Sequence, residues 1–148
     1  MTRLKVGVII KGDINKIWEV WNNPEHIVNW CFAGDDWSCP KASNNLKIGE
    51  QFSTTMAARD GSMSFDLEGE YINIIKNKLI EYVMIDMQYG EYYIEKGRKV
   101  LVNFIENNGE VEIIEEFDAE EIHNIDMQIA GWQSILDRFK KYFESLSF

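Results

Sequence analysis

Cysteine, proline and histidine each occur only twice in the 148 residues. Cys31 and Cys39 lie close together in an aromatic-rich segment, and without a secretion signal free thiols are expected rather than a disulfide. Two cysteines and two distant histidines, His26 and His123, make a poor zinc set, so no metal is expected. Positive charge is scarce as well. Fifteen Lys and Arg stand against 25 Asp and Glu, a formal net charge of −10. A phosphate backbone or an anionic membrane surface would repel such a chain, which argues against both as partners. Long apolar runs are missing too. The run Val6 to Ile10 is too short for a signal peptide and is interrupted by Gly7, and nothing approaches the ~20 apolar residues of a membrane span. The expected compartment is the cytoplasm. No G-x-S-x-G, P-loop or G-x-G-x-x-G occurs, so no catalytic triad, phosphate cradle or cofactor is expected.

What the chain does have is apolar and aromatic mass. Hydrophobic residues make up 45% and aromatics 13%, enough for a sizeable core in one domain, 1–148. The stretch that organises the rest runs from Asp118 to about Leu146. Ile122, Ile125, Ile129, Trp132, Leu136, Phe139, Phe143 and Leu146 recur at spacings of three and four, which places them on one helix face. Asp118 as N-cap with Glu121 at N3 forms a capping box, and Phe117 and Ile122 form a hydrophobic staple. The helix so predicted is about 42 Å long. In projection its apolar sector also holds Asn124 and Gln128, both in the first half. They lie either at the sector edge, facing solvent, or beside a wet or occupied space. Gly131, next to Trp132, either permits a close approach or is a tolerated flaw costing roughly 1 kcal/mol.

The preceding residues supply the surface that buries this helix. Leu4, Val6, Val8 and Ile10 alternate as a first strand. Asp13 caps a short helix with Ile14, Ile17, Trp18 and Trp21 on its buried face, and Asn23-Pro24 opens a second that ends near Trp30. Residues 31–45 read as an irregular loop, with Trp37 either anchoring it or forming, with Asp36, a cavity mouth. From Ile48 to Phe117 the pattern is strand and tight turn. Asp60-Gly61, Lys76-Asn77-Lys78 and Asn107-Asn108-Gly109 mark reversals, a loop is expected around Tyr89-Gly90, and the phase slip after Tyr71 suggests a bulge near Gly69. An antiparallel meander follows from connections this short.

Most carboxylates alternate onto the solvent face. Glu115 does not, because it shares a phase with Val111, Ile113 and Phe117. It is either displaced by an edge or bulge, or it points inward and needs a partner such as Arg98 or Arg59. His26 and His123 are expected to be exposed.

The run Ile17-Trp18-Glu19-Val20-Trp21-Asn22-Asn23-Pro24-Glu25-His26-Ile27, ending at Trp30, resembles the opening signature of the activator-of-heat-shock-protein-90-ATPase-like family, of the START-like helix-grip (SRPBCC) superfamily. Asp35-Asp36-Trp37, Leu46 to Phe52, Gly69-Glu70-Tyr71 to Ile74, Phe117-Asp118, Gly131-Trp132 and Leu136 are similar too. The likeness departs at Glu50, where many members carry a second glycine, and in the long connection from Asp86 to Gly97. It implies an α+β helix-grip fold: a curved antiparallel β-sheet with two short N-terminal helices, wrapped around a long C-terminal helix. It also implies a cavity between sheet and helix. Members of the superfamily include hydrophobic-ligand carriers, cyclase-like enzymes and a co-chaperone domain whose additional chaperone-binding domain would not fit in this length.

The expected function is therefore the binding of a small hydrophobic or amphipathic molecule, with Trp30, Trp37, Phe52, Phe65, Tyr82, Phe104, Gln128 and Trp132 as wall residues. Two other readings stay open. One is a cyclase- or aromatase-like enzyme using Glu115 or Tyr82 as acid or base. The other is a chaperone-associated interaction domain, which, with a weak homodimer, completes the partner expectations.

Overall fold

Alternation of apolar and polar residues is realised as a seven-stranded antiparallel sheet. The structure, a computed structural model, describes residues 2–85, 87–89, 92–94, 97–120 and 123–148. The strands are β1 (Arg3–Lys11), β2 (Trp37–Asn44), β3 (Gln51–Ala58), β4 (Ser64–Ile75), β5 (Leu79–Met84), β8 (Lys99–Asn107) and β9 (Glu110–Asp118), in spatial order β1-β9-β8-β5-β4-β3-β2. All the pairings are antiparallel. Between β5 and β8, β6 (Met87–Tyr89) and β7 (Tyr92–Ile94) pair as a separate hairpin, in the connection where a loop was expected around Tyr89. Gly90 is outside the described residues, as are Asp86, Glu91, Glu95 and Lys96. At the β8–β9 turn, Asn108 and Gly109 take φ of 51° and 82°, the left-handed pair that matches strand twist in a tight hairpin.

Helices α1 (Ile14–Asn22) and α2 (Pro24–Ile27) fill the β1–β2 connection. The carboxylate of Asp13 accepts from the N–H groups of Asn15 and Lys16 to start α1, and Asn23 accepts from Glu25 N–H to start α2 with Pro24 behind it. These caps satisfy N–H groups that have no partner within the helix.

The last helix, α3, spans Ile125–Ser145, about 31 Å. It starts later than the capping-box pattern predicts. Asp118 is the last residue of β9, paired with Arg3 of β1, and Ala119 N–H continues that ladder to Thr2 O at 2.8 Å. The Asp118 carboxylate accepts from Lys99 N–H at 2.9 Å and faces Arg3 Nη1 at 3.4 Å. Sheet pairing thus takes the residue that local pattern assigns to a cap. Asn124 is the N-cap instead, accepting from Met127 N–H at 2.9 Å. Glu121 and Ile122, the other members of the predicted box and staple, lie outside the described residues.

Two further expectations are corrected. Residues 37–44 form a strand rather than a loop. Pro40 and the polar Ser38, Lys41, Ser43 and Asn44 hide it, yet β2 is an edge strand with a register shift between Ser38 and Lys41. Edges and bulges are where a sheet tolerates proline. The bulge in β4 falls between Tyr71 and Asn73 rather than at Gly69. Gly69 has another reason to be glycine: an added Cβ would lie 2.5 Å from the Phe52 ring and 3.0 Å from that of Tyr82.

The second half of α3 is embedded as its stripe predicts. Leu136 and Phe139 are fully buried, and Trp21 and Trp30 both meet Phe139 edge-on with ring centroids 4.9 Å away. Along its length α3 contacts β1. Gln133 donates to Gly7 O at 2.9 Å and accepts from Gly7 N–H at 3.4 Å, and Glu144 accepts from Lys11 N–H at 3.5 Å. Among the described residues no helix is long and apolar enough to cross a membrane.

A cavity with a buried carboxyl group

Sheet curvature opens a gap of about 290 Å³ against the first half of α3. Its sheet wall comes from Phe52, Thr54 and Met56 of β3, Phe65, Leu67 and Tyr71 of β4, and Ile80, Tyr82 and Met84 of β5. Trp21, Ile27, Trp30 and Cys31 close one side, and Met127, Gln128, Gly131, Trp132 and Ile135 of α3 form the lid. The absent Gly69 side chain lets Phe52 and Tyr82 pack edge to face at 4.8 Å. Gly131 permits no close approach. An added Cβ there meets nothing within 4 Å, because the space beside it is the cavity.

Of the expected wall residues, Trp30, Phe52, Phe65, Tyr82, Gln128 and Trp132 line this space, and Trp37 and Phe104 do not. Trp37 is spent on Phe65, at 5.9 Å. Phe104 lies under α1 against Trp18 and Trp21, at 5.2 and 5.7 Å. Strand phase puts both rings on apolar faces but does not separate the part of a face that bounds a cavity from the part a helix covers. Gln128 borders the cavity, yet its amide is used on backbone. It accepts from Glu120 N–H at 2.8 Å and donates to Glu120 O at 2.9 Å and His123 O at 3.1 Å. It ties the β9–α3 connection to the helix.

The polar centre is Glu115. It is 5% exposed and lines the cavity. The two expected partners are engaged elsewhere. Arg98, itself buried, pairs with Glu120 at 3.1 Å and donates to Asp118 O at 3.1 Å, while Arg59 donates to Asp35 O at 2.9 Å. Among the described residues the Glu115 carboxyl makes no hydrogen bond or ion pair. Burial therefore pushes its pKa from 4.5 up to about 8, so it is mostly protonated at neutral pH. Burial, then the neighbouring Glu115, raises the Tyr82 hydroxyl, and burial followed by Cys39 and Glu115 raises the Cys31 thiol. Cys39 is pushed up to about 11, chiefly by burial, and both cysteines are free thiols.

Sequence reading missed Asn44 and Tyr71, which hydrogen-bond to each other at the rim; the strand that carries Asn44 was itself not visible. His26, expected exposed, is half-buried with Nδ1 2.7 Å from the Tyr142 hydroxyl. His123 is exposed, 3.3 Å from Glu120. Among the described residues no group of His, Cys, Asp or Glu is placed to hold a metal ion.

A curled antiparallel sheet gripping one long helix, with two short helices closing the end, is the helix-grip fold of the START-like superfamily. Residues 11–144 match the family described as activator of Hsp90 ATPase homolog 1-like protein, and the chain belongs to that family. It is similar to Chr148 from Cytophaga hutchinsonii, at 43% identity over 97% of this chain and 92% of that one, with a TM-score of 0.78. It is also similar to the AHSA1-like protein from Aeromonas hydrophila, at 35% identity over 96% and 93% of the two chains, with a TM-score of 0.81. The fold alone persists in CV1439 from Chromobacterium violaceum, at 10% identity over 95% and 96%, with a TM-score of 0.80. No curated protein matches the chain.

Proposed function

We propose that this protein binds a small, largely apolar molecule in the cavity under α3. The observation that carries the reading is the cavity itself: about 290 Å³ walled mostly by aromatic and aliphatic side chains, around a Glu115 carboxyl group that is unpaired among the described residues. Concave apolar spaces with few polar groups are the usual form of small-molecule sites. At the roughly 30 Å³ that one water molecule takes up in the liquid, the volume suits a ligand of about ten non-hydrogen atoms. The family name refers to a chaperone ATPase, but an open interior supports ligand binding over a pure docking role. Net charge of −10 supports a ligand other than nucleic acid or an anionic membrane surface, and free Cys31 and Cys39 support a reducing compartment such as the cytoplasm.

Trp21, Trp30 and Trp132 line the space, so a titration with 2-phenylethanol followed by tryptophan fluorescence tests the reading. A saturable one-to-one change is expected. Gly131→Leu, which fills the open space beside Gly131, should abolish it while leaving the melting temperature unchanged or raised. Undiminished binding by a folded Gly131→Leu variant would overturn the reading.

A second reading has one specific observation behind it. Glu115 is a buried carboxyl with its pKa pushed up to about 8, beside Tyr82, which suits a general acid in a cyclase- or aromatase-like reaction. It requires turnover of a cavity-sized carbonyl substrate that Glu115→Gln eliminates without weakening binding.

A further inference from the structure

We infer that the cavity is built for a ligand carrying one protonated amine on an apolar body, with the ammonium paired to the Glu115 carboxylate. This rests on the cavity reading above and adds the chemical class of its occupant. Three observations carry it. First, the Glu115 carboxyl faces the cavity with no hydrogen bond or ion pair among the described residues, so its partner is left for the ligand to supply. Second, Arg98, the cation at this wall, is already paired: one Nη holds Glu120 and the other Asp118 O, while its Nε is buried without a hydrogen-bond partner. With Arg98 and Glu120 cancelling, a monocation against ionised Glu115 leaves the site neutral, whereas an anion would meet, among the described lining residues, no cation but the already paired Arg98. Third, much of the remaining wall is aromatic, including Trp30, Tyr71, Tyr82 and Trp132, and aromatic faces attract cations more strongly when water is excluded. The net charge of −10 draws cations toward the protein as a whole.

Among the described residues, the titratable and charged groups around Glu115 are Tyr82 of β5, Tyr71 of β4, Cys31 after α2, and Arg98 and Glu120 at the strand ends. From α3 the cavity receives only Met127, Gln128, Gly131, Trp132 and Ile135, none of which titrates. Tyr82, Tyr71 and Cys31 are all held in their neutral forms by burial well above neutral pH. Glu115 is therefore the group whose charge changes on binding. An ammonium entering near neutral pH displaces the Glu115 proton to solvent.

The test uses phenethylamine, 2-phenylethanol and phenylacetate, three probes of one shape with a cation, a neutral group and an anion. Calorimetric titrations of the full chain at about pH 6, 7 and 8, in buffers of different ionisation enthalpy, read affinity and proton release together. Phenethylamine should bind tightest at about pH 8. Its Kd should fall about tenfold between about pH 6 and 7, with close to one proton released. The Kd of 2-phenylethanol should stay flat. Glu115→Gln should weaken phenethylamine at least tenfold at about pH 8 and leave 2-phenylethanol within threefold. Equal or tighter binding of 2-phenylethanol at about pH 8 overturns the amine assignment and leaves the cavity reading standing. So does phenethylamine binding without proton release, which needs only the unaltered protein and does not depend on the variant folding. Absence of binding by all three probes overturns both.

Discussion

Phe117 and Trp132 stack face to face, with ring centroids 4.0 Å apart and planes 9° from parallel. Phe117 is the penultimate residue of β9 and fully buried, while Trp132 is half-buried over the cavity. One ring pair thus joins the end of the sheet to the middle of the gripping helix. Trp132→Ala should cost about 2–4 kcal/mol in urea melts, somewhat less than a fully buried tryptophan, because one face of the ring already borders open space. A loss below about 1 kcal/mol would show the stack to be incidental.

Substitutions at the two ends of α3 should rank in a defined order. Phe139→Ala removes a fully buried ring against Trp21 and Trp30 and should cost roughly 3–5 kcal/mol. Asn124→Ala removes the N-cap and should cost about 0.5–2 kcal/mol. Asp118→Ala acts on the sheet rather than the helix. Its loss should show as faster amide exchange at Lys99, whose N–H it accepts. Faster exchange in the first turn of α3 with none at Lys99 would restore Asp118 as the cap.

Gly69→Ala places a methyl 2.5 Å from the Phe52 ring. Both Phe52 and Tyr82 must turn, and the expected cost is about 1–3 kcal/mol, with both rings pushed into the cavity. Weaker binding of 2-phenylethanol should accompany the loss of stability. A variant as stable as the parent would mean that the two rings are free to move.

Burial of Glu115 should leave a pH signature in folding. Its folded pKa is about 8 against an ordinary 4.5, so between those values the folded chain holds a proton that the unfolded chain has lost. The stability linked to this group is fully present below about pH 4.5, falls as pH rises through the window, and levels off above about 8. At about 1.4 kcal/mol per unit the total is on the order of 5 kcal/mol, an upper figure if water enters the cavity. Glu115→Gln should remove this slope, so denaturation midpoints of variant and parent should converge at low pH and separate in favour of the variant toward pH 8. Parallel pH curves for the two proteins would contradict the buried, unpaired placement.

The features legible in the sequence were those set by local period and turn chemistry. Asp13 and Asn23 cap the helices that their positions predict, and Asn108-Gly109 turns the hairpin it marks. The inward phase of Glu115 was visible from Val111, Ile113 and Phe117, but the engagement of Arg98 with Glu120 was not, since that pair is set by tertiary approach. Asp118 fails for a related reason. Its local pattern suits a helix cap, and long-range pairing with Arg3 claims it first. β2 was hidden because an edge strand with Pro40 and a bulge needs no apolar alternation. Gln128 was expected as a wall residue and does line the cavity, but its amide is occupied by the backbone of Glu120 and His123, a contact across a connection that periodicity does not describe.

The side-chain contacts from α3 to β1 have a consequence for how copies of this protein behave together. A sheet of seven strands ends in two rows of unpaired backbone groups, either of which can recruit a foreign strand. On one side the Gln133 amide sits on the N–H and carbonyl of Gly7, and Glu144 takes the N–H of Lys11, so the outermost strand offers an incoming chain a broken row. On the other, Pro40 lacks the N–H that a continuous ladder would use, and the register shift beside it twists the row. The open interior is thus framed by borders that discourage templated growth, although the sheet is not closed into a barrel.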